Sequence, residues 1–468
     1  MIEGLRPYPE MQSTGHPGLP SIPVHWDVRR NGRLFSERRE TGFPDLPILE
    51  VSLRSGVRIR DMEGGKRKQQ IVDRSVYQRA IKGDIAYNMM RMWQGAVGIA
   101  PADGLVSPAY VVATAHEGVD AAYYAYLFRT DDYMKEIDSY SRGIVPDRNR
   151  LYWQAFKQMP SAYPPLEEQR LIVRFLDWHG AMTGKLIRAK RRLIALLNEQ
   201  KQSIIHRAVT RGLDPAAKLK PSGIDWLGDV PEHWEVKPLK HVVSRIVGGS
   251  TPKSGEPEYW DGDVIWVTPS DISRKERLDT SLRKITEAGL ASCGASYVPA
   301  GSIIVTSRAP VGNVAIAQVS LSTNQGCKAL IPDPNQVETN FAFHLLKVLK
   351  AELVSLATGT TFAEISSSRL GAVRVPLPPL TEQSDILTAV ERSTAELTNA
   401  IEAAQAEISF IQEFRTRLIA DVVTGQLDAR AVAANLPQVS QADGAGDLTD
   451  EDDLDDDADD LTDEDEAA

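Results

Sequence analysis

The chain is written twice, and this constrains its fold more than any other feature. Pro164-Pro165-Leu166-Glu167-Glu168-Gln169 returns 214 residues later as Pro378-Pro379-Leu380-Thr381-Glu382-Gln383. The same ungapped offset carries Ala208-Val209-Thr210-Arg211-Gly212-Leu213-Asp214 onto Val422-Val423-Thr424-Gly425-Gln426-Leu427-Asp428. Between these landmarks both copies read as one long helix. The first has apolar residues at Ile172, Leu176, Leu186, Leu193, Leu197 and Ile204; the second at Ile386, Val390, Leu397, Ala404, Ile408, Ile411, Leu418 and Val422. Steps of mostly three, four or seven make a stripe long enough for a coiled-coil seam. Tandem prolines suit the first turn, acidic residues follow, and Gly212 then Pro215 stop the first copy. Each helix should run about 45 residues, or roughly 65–70 Å. Gly180 and Gly184 weaken the middle of the first, where a kink would be accommodated.

A globular stretch precedes each helix, and these correspond too. Ile22-Pro23-Val24-His25-Trp26-Asp27-Val28 parallels Val230-Pro231-Glu232-His233-Trp234-Glu235-Val236. Arg91, Gly95 and Ile99 parallel Arg308, Gly312 and Ile316, and Ser141-Arg142-Gly143 parallels Ala357-Thr358-Gly359. Spacings drift between landmarks, as they do where loops vary on a shared scaffold. Residues 264–267, 302–305 and 313–317 read as strands bounded by turn residues, with helical patterns at 341–353 and, in the first copy, 121–133. The order is globule, helix, globule, helix, tail.

Charge is unevenly placed. Residues 443–468 hold fifteen Asp and Glu with no Lys or Arg, so the net charge of −11 leaves the preceding residues at +4. A run so charged and so poor in apolar residues cannot offset the entropy of ordering, and is expected to be disordered. Its plain role is solubility; the sharper alternative is a polyanion competing for the basic surface. Two cysteines, Cys293 and Cys327, without CxxC spacing, give neither a disulfide framework nor a zinc site. No apolar run is long enough for a membrane span and no leader is evident, so a cytoplasmic protein is expected.

Enzyme signatures are missing: no GxxxxGK[ST] loop, no NPPY-like tetrapeptide, no GxGxxG after a strand. Pro44-Asp45 followed by Glu50-Val51-Ser52 lacks the lysine of a nuclease pattern. His25 and His233, each before a tryptophan, suit capping or packing better than metal binding. Trp26, Trp234 and Trp266 read as core rather than as base-stacking surfaces. Two similar heads on stiff helices fit either a reader of split DNA targets or a scaffold with two peptide-binding heads.

Certain segments tilt that choice. Residues 222–239 (SGIDWLGDVPEHWEVKPL) resemble the opening of a target recognition domain in type I restriction-modification specificity subunits. So do Gly248-Gly249-Ser250-Thr251-Pro252, Trp266-Val267-Thr268-Pro269-Ser270-Asp271-Ile272, Ser307-Arg308-Ala309-Pro310-Val311-Gly312, Thr323-Asn324-Gln325-Gly326 and Gly359-Thr360-Thr361. The PPLxEQ helix starts are similar to that family's conserved helices. The first globule departs most: it has no clear GGSTP counterpart, and Ser107-Pro108-Ala109 replaces NQG.

The resemblance implies an α+β chain. Two similar mixed α/β target recognition domains (1–162 and 216–376) would be joined by two long antiparallel coiled-coil helices (163–215 and 377–430). The duplication itself makes the repeat pseudo-twofold, and the disordered acidic tail expected from 431 to 468 lies outside the resemblance. It implies a non-catalytic chain in which each head reads one half of a bipartite double-stranded DNA target. Two methyltransferase subunits would bring S-adenosylmethionine chemistry to adenines, and two motor-nuclease subunits would use ATP and Mg. This chain itself would need no cofactor or metal.

On that reading Arg91 and Arg308 can fork onto guanine O6/N7 or a phosphate, and Asn324 and Gln325 have the amide geometry for adenine. Thr251, Lys253, Lys328, Thr360 and Thr361 suit backbone positioning. Arg142, Arg148 and Arg150 beside Tyr152 and Trp153 make a basic-aromatic groove wall. Ile187, Ile205, Phe410, Phe414 and Ile419, outside the expected seam, are the candidates for docking the methyltransferase.

Overall fold

The computed structural model describes residues 4–53, 55–60, 73–143, 149–358 and 363–437; of the tail expected to be disordered from 431, the helix Arg430–Ala433 instead packs on the first core, and residues 438–468 lie outside the described residues. The chain divides into two compact units, Met1–Arg191 with Gln405–Ala468, and Arg192–Ala404.

Both proline-led segments are single helices, Leu166–Arg211 and Leu380–Val423, of 46 and 44 residues. Proline has no N–H, and the first turn offers that N–H no partner, so the tandem prolines cost little where they stand. Gly212 and Gly425 follow the two ends at φ +73° and +75°, the left-handed conformation in which a Cβ is strained. The first helix continues through Gly180 and Gly184 as one element.

Each long helix gives its first half to one unit and its second half to the other. Within each unit the two halves pack antiparallel. In the first, Lys190 pairs with Glu407, and the rings of His179 and Phe414 lie 6.0 Å apart. In the second, Lys201 donates to Thr398 at 2.8 Å, and Ile205 and Val209 share a core with Ile386 and Val390.

The seam of the second helix follows the sequence stripe: Ile386, Val390, Ala404, Ile408, Leu418 and Val422 are buried. On the first helix the expectation needs correcting. Leu186 and Leu193 stand 46% exposed, while Ile187 and Ile205 are buried. That helix carries two apolar stripes one position apart, and periodicity does not say which faces inward.

The first unit centres on an antiparallel sheet in spatial order Phe35–Arg38, Tyr110–Ala115, Ile85–Asn88, Val97–Ile99. The second repeats it as Val243–Gly248, Cys327–Pro332, Ile303–Thr306, Val314–Ala317, and adds Arg277–Leu278 parallel at the edge. Ile85–Asn88 and Ile303–Thr306 are buried throughout, as central strands covered on both faces must be. The helical patterns prove to be pairs: Ala121–Leu127 with Asp131–Tyr140, and Thr339–Val348 with Lys350–Leu356. The first core is aromatic (Trp26, Phe35, Tyr87, Tyr124, Phe128 and Phe156), closed by Leu418 and Val422 of the second helix. The second core is aliphatic around Trp234 and Phe341.

The same hydrogen bonds lock head to helix in both units. Gln169 is fully buried; its Nε2 donates to the Pro164 and Gly118 carbonyls at 2.8 and 3.3 Å, and its Oε1 accepts from Asp120 N at 2.8 Å. Gln383 repeats this with Pro378, Gln336 and Glu338 at 2.9, 2.9 and 2.8 Å. A primary amide serves because it both donates and accepts. Beside each, a first-turn glutamate pairs with the histidine noted in the sequence: Glu168 with His25 and Glu382 with His233, each at 2.8 Å. These histidines are anchors of the helix start.

Candidate nucleic-acid interface

In the second unit the strand Ile303–Thr306 runs into loop 307–312, closed by Thr306 N to Asn313 O and Gly312 N to Thr306 O, both 2.9 Å. Ser307 N donates to Gly326 O at 2.7 Å, and Ile365 N donates to Ser307 O at 2.9 Å. Segments 307–312, 324–326 and 364–365 therefore meet at one end of the sheet. Residues 248–252 lie on the same end: Ser250 N donates to Thr323 O at 3.0 Å, and Thr251 Oγ1 donates to Gln325 Oε1. Gly249 is required there, because a Cβ would sit 2.0 Å from Asn324 O.

Folding thus gathers Thr251, Arg308, Asn324, Gln325 and Lys328 from three stretches of sequence. Lys253, two residues past Thr251, is exposed, and its carbonyl accepts the Trp260 indole N–H at 3.2 Å. Asn324 Oδ1 accepts from Gly326 N at 2.9 Å, so part of that amide holds the turn. Glu364, which sequence reading missed, sits among the cations. Its Oε2 accepts from Arg308 Nε at 2.9 Å, and its Oε1 lies 3.5 Å from Lys328 Nζ. Cys327 is not a reactive thiol, since burial pushes it up to about 12.

The first unit has the same frame with other side chains. Met89 N donates to Ala109 O at 3.3 Å, and Leu151 N to Met89 O at 2.8 Å. Ala109 N lies 3.4 Å from Ser107 Oγ, where Gly326 N meets Asn324 Oδ1. Ser107-Pro108-Ala109 therefore takes the place of Asn324-Gln325-Gly326. The pairs Asn88–Ala96 and Thr306–Asn313 bound the matching loops, and the first loop is one residue longer. Arg91 consequently stands three residues past its strand end and Arg308 two, although a constant sequence offset overlays them. The Arg91 carbonyl accepts from Gln94 and Ala96 N at 3.0 and 3.1 Å, and its side chain is half-buried.

Arg142 and Arg150 exchange backbone hydrogen bonds of 3.1 and 2.9 Å; Thr358 and Glu364 do the same at 3.0 and 3.1 Å. Arg150 therefore occupies the place of Glu364. The 214-residue offset of the PPLxEQ repeat, extended upstream, gives the same match. Arg142 and Tyr152 are exposed beside half-buried Arg150. Arg148, Thr360 and Thr361 lie outside the described residues.

Of the five apolar candidates for partner docking, Ile187 and Ile205 are buried in this chain's own packing, at 5% and 4% exposure. Both lie on the first helix, where the inward stripe is the one expected to face out. Phe414 and Ile419 rest half-buried against the first core, and Phe410 is 68% exposed. Among the described residues no cluster of His, Cys, Asp or Glu could hold a metal, and no helix is long and apolar enough to cross a membrane.

Residues 231–407 match the family model described as "Type I restriction modification DNA specificity domain". The type I restriction enzyme MjaIX specificity subunit of Methanocaldococcus jannaschii is 39% identical over 166 residues, which is 35% of this chain and 38% of that relative. The putative type I restriction enzyme MjaX specificity subunit of the same organism is 25% identical over 311 residues, 66% of this chain and 68% of that relative. The first match thus covers under two thirds of the relative's length. A solved chain from work described as "Structural basis underlying complex assembly and conformational transition of the type I R-M system" has a TM-score of 0.56 at 18% identity. That likeness, over 86% of this chain and 98% of the other, is one of fold. With the family match on the second head, and the same hydrogen-bonded frame under the first, the chain is similar to type I restriction-modification DNA specificity subunits.

Proposed function

We propose that this chain reads a bipartite double-stranded DNA target and does no chemistry itself. Each head (1–162 and 216–376) takes one half-site through the loops at its sheet end, while the helices (163–215 and 377–430) set the spacing. The helices and heads dock two methyltransferase subunits that methylate adenine with S-adenosylmethionine. Two motor-nuclease subunits, using ATP and Mg, join the same complex, which works in the cytoplasm. The observation that carries this reading is one frame built twice, with different polar side chains at the same loop ends. Such a pair of heads suits two unlike half-sites on one duplex.

Co-expression with the methyltransferase encoded beside it, followed by methylome sequencing of host DNA, tests the proposal. The expected result is a split motif methylated on adenine in both halves, with Arg308→Ala losing the second half's selectivity. A stable complex whose DNA affinity shows neither sequence preference nor steep salt dependence overturns it.

A further inference from the structure

Position 364 carries a carboxylate on a surface meant for a polyanion. By charge alone this is unfavourable, since an acid between Arg308 and Lys328 weakens attraction to phosphates. Nor does an exposed ion pair repay it in stability: Arg308 and Glu364 are 43% and 34% exposed, and such pairs are worth about 0–1 kcal/mol. What the contact supplies is geometry. Glu364 holds Arg308 by Nε alone, and among the described residues no partner is seen for the two Nη groups. Those are the groups that fork onto guanine O6 and N7. Lys328, only 12% exposed and beside Oε1, steadies the carboxylate from the sheet side.

At the matched place the first head carries Arg150, set by the same backbone exchange with Arg142. A guanidinium there needs no acid to aim a neighbour and can itself donate to an acceptor edge. The two loops also differ in length by one residue, so Arg91 does not stand where Arg308 does.

We infer that 150/364 is the specificity-determining position of the repeat. Glu364 is a positioning residue that aims Arg308 at a guanine in one half-site, and Arg150 itself reads a purine acceptor edge in the other. The inference rests on the proposed DNA-reading function and adds which residue sets the difference between the heads.

The test uses the full chain in complex with its methyltransferase. Duplexes in which both half-sites are randomised are selected for binding, and hydrogen exchange of each unit checks that every variant is folded. Glu364→Gln keeps size and one acceptor but loses the charge. It should reduce preference for guanine at one position of one half-site about five- to tenfold and leave the other half-site unchanged. Arg150→Gln should relax one position of the opposite half-site by a similar factor, with the first motif intact.

A split motif in the wild type that Glu364→Gln leaves unaltered at every position overturns the inference while the proposed function stands. So does a folded variant that loses affinity equally across both half-sites, since that is a charge effect without aim. A wild-type complex with no sequence preference overturns the proposed function, and the inference with it.

Discussion

The two heads share a backbone frame and differ in what fills it. Both close a strand hairpin, both tie it to the next loop and to the returning segment, and both bolt the helix start on with a buried glutamine. Yet Trp234 donates its indole N–H to Glu382 at 3.0 Å, while Trp26 Nε1 is buried without a partner and Tyr8 takes Glu168 at 2.5 Å instead. Groups bonded to backbone repeat faithfully, because their partners are fixed by the fold. The histidine–glutamate pairs repeat as well, but the other oxygen of each glutamate has a different donor, Tyr8 in the first head and Trp234 in the second, because a second residue can take over the same acceptor.

That contrast can be broken by experiment. Gln169→Ala and Gln383→Ala each strand two carbonyls and one N–H, and should each destabilise their own unit by about 3–5 kcal/mol. Hydrogen exchange resolved by unit measures this; losses differing by more than about 1 kcal/mol would break the equivalence of the frames. Gly425→Ala should cost about 3 kcal/mol, since its Cβ would meet Pro23 Cδ at 2.4 Å in addition to the strain of φ +75°. Gly212→Ala, with nothing nearer than 3.2 Å, should cost about 1–2 kcal/mol, and denaturant melting separates the two.

Trp234→Phe and Trp26→Phe remove the same volume, but only the first gives up an indole bond to a carboxylate. It should cost about 1–2 kcal/mol more, and equal costs would show that the bond to Glu382 adds nothing. The smallest effect is on pH. His344, half-buried on the helix Thr339–Val348, is pushed down to about 4 by desolvation first and Lys347 second. A histidine held neutral in the fold stabilises it fully above its ordinary value of 6.5 and loses that contribution as pH falls toward 4. The second unit should lose about 1–2 kcal/mol over that window, allowing for partial solvent access, and His344→Gln should abolish the dependence. A slope unchanged by His344→Gln would assign it to other groups.

The repeat made the architecture legible. Landmarks at 164–169 and 378–383 fixed both helix starts, and the apolar runs around 303 and 314 marked the strands. Where two answers share one periodicity, sequence could not choose: Leu186 and Ile187 are neighbours on a helix with two apolar stripes, and only packing turned Ile187 inward. The candidate interface was legible as single residues and opaque as pairs. Arg308, Asn324, Gln325 and Thr251 could be picked as polar loop residues, and Lys328 as a polar residue on a strand. Glu364 could not, because its meaning comes from a partner 56 positions away. Aligning Arg91 with Arg308 missed the extra residue in the first loop, since the shift occurs between two strands whose own offsets look consistent.

The sharing of the long helices also orders events at the ribosome. Residues 192–404 are one uninterrupted stretch, but the first unit needs both ends of the chain. Tyr123 waits for the Val423 carbonyl it will bond at 2.7 Å, and the face of Trp26 for Gly425. At ordinary elongation rates that interval is on the order of tens of seconds. During it a cluster of tryptophan, tyrosine and phenylalanine lies open to holdase chaperones, and the head made first is the last to close.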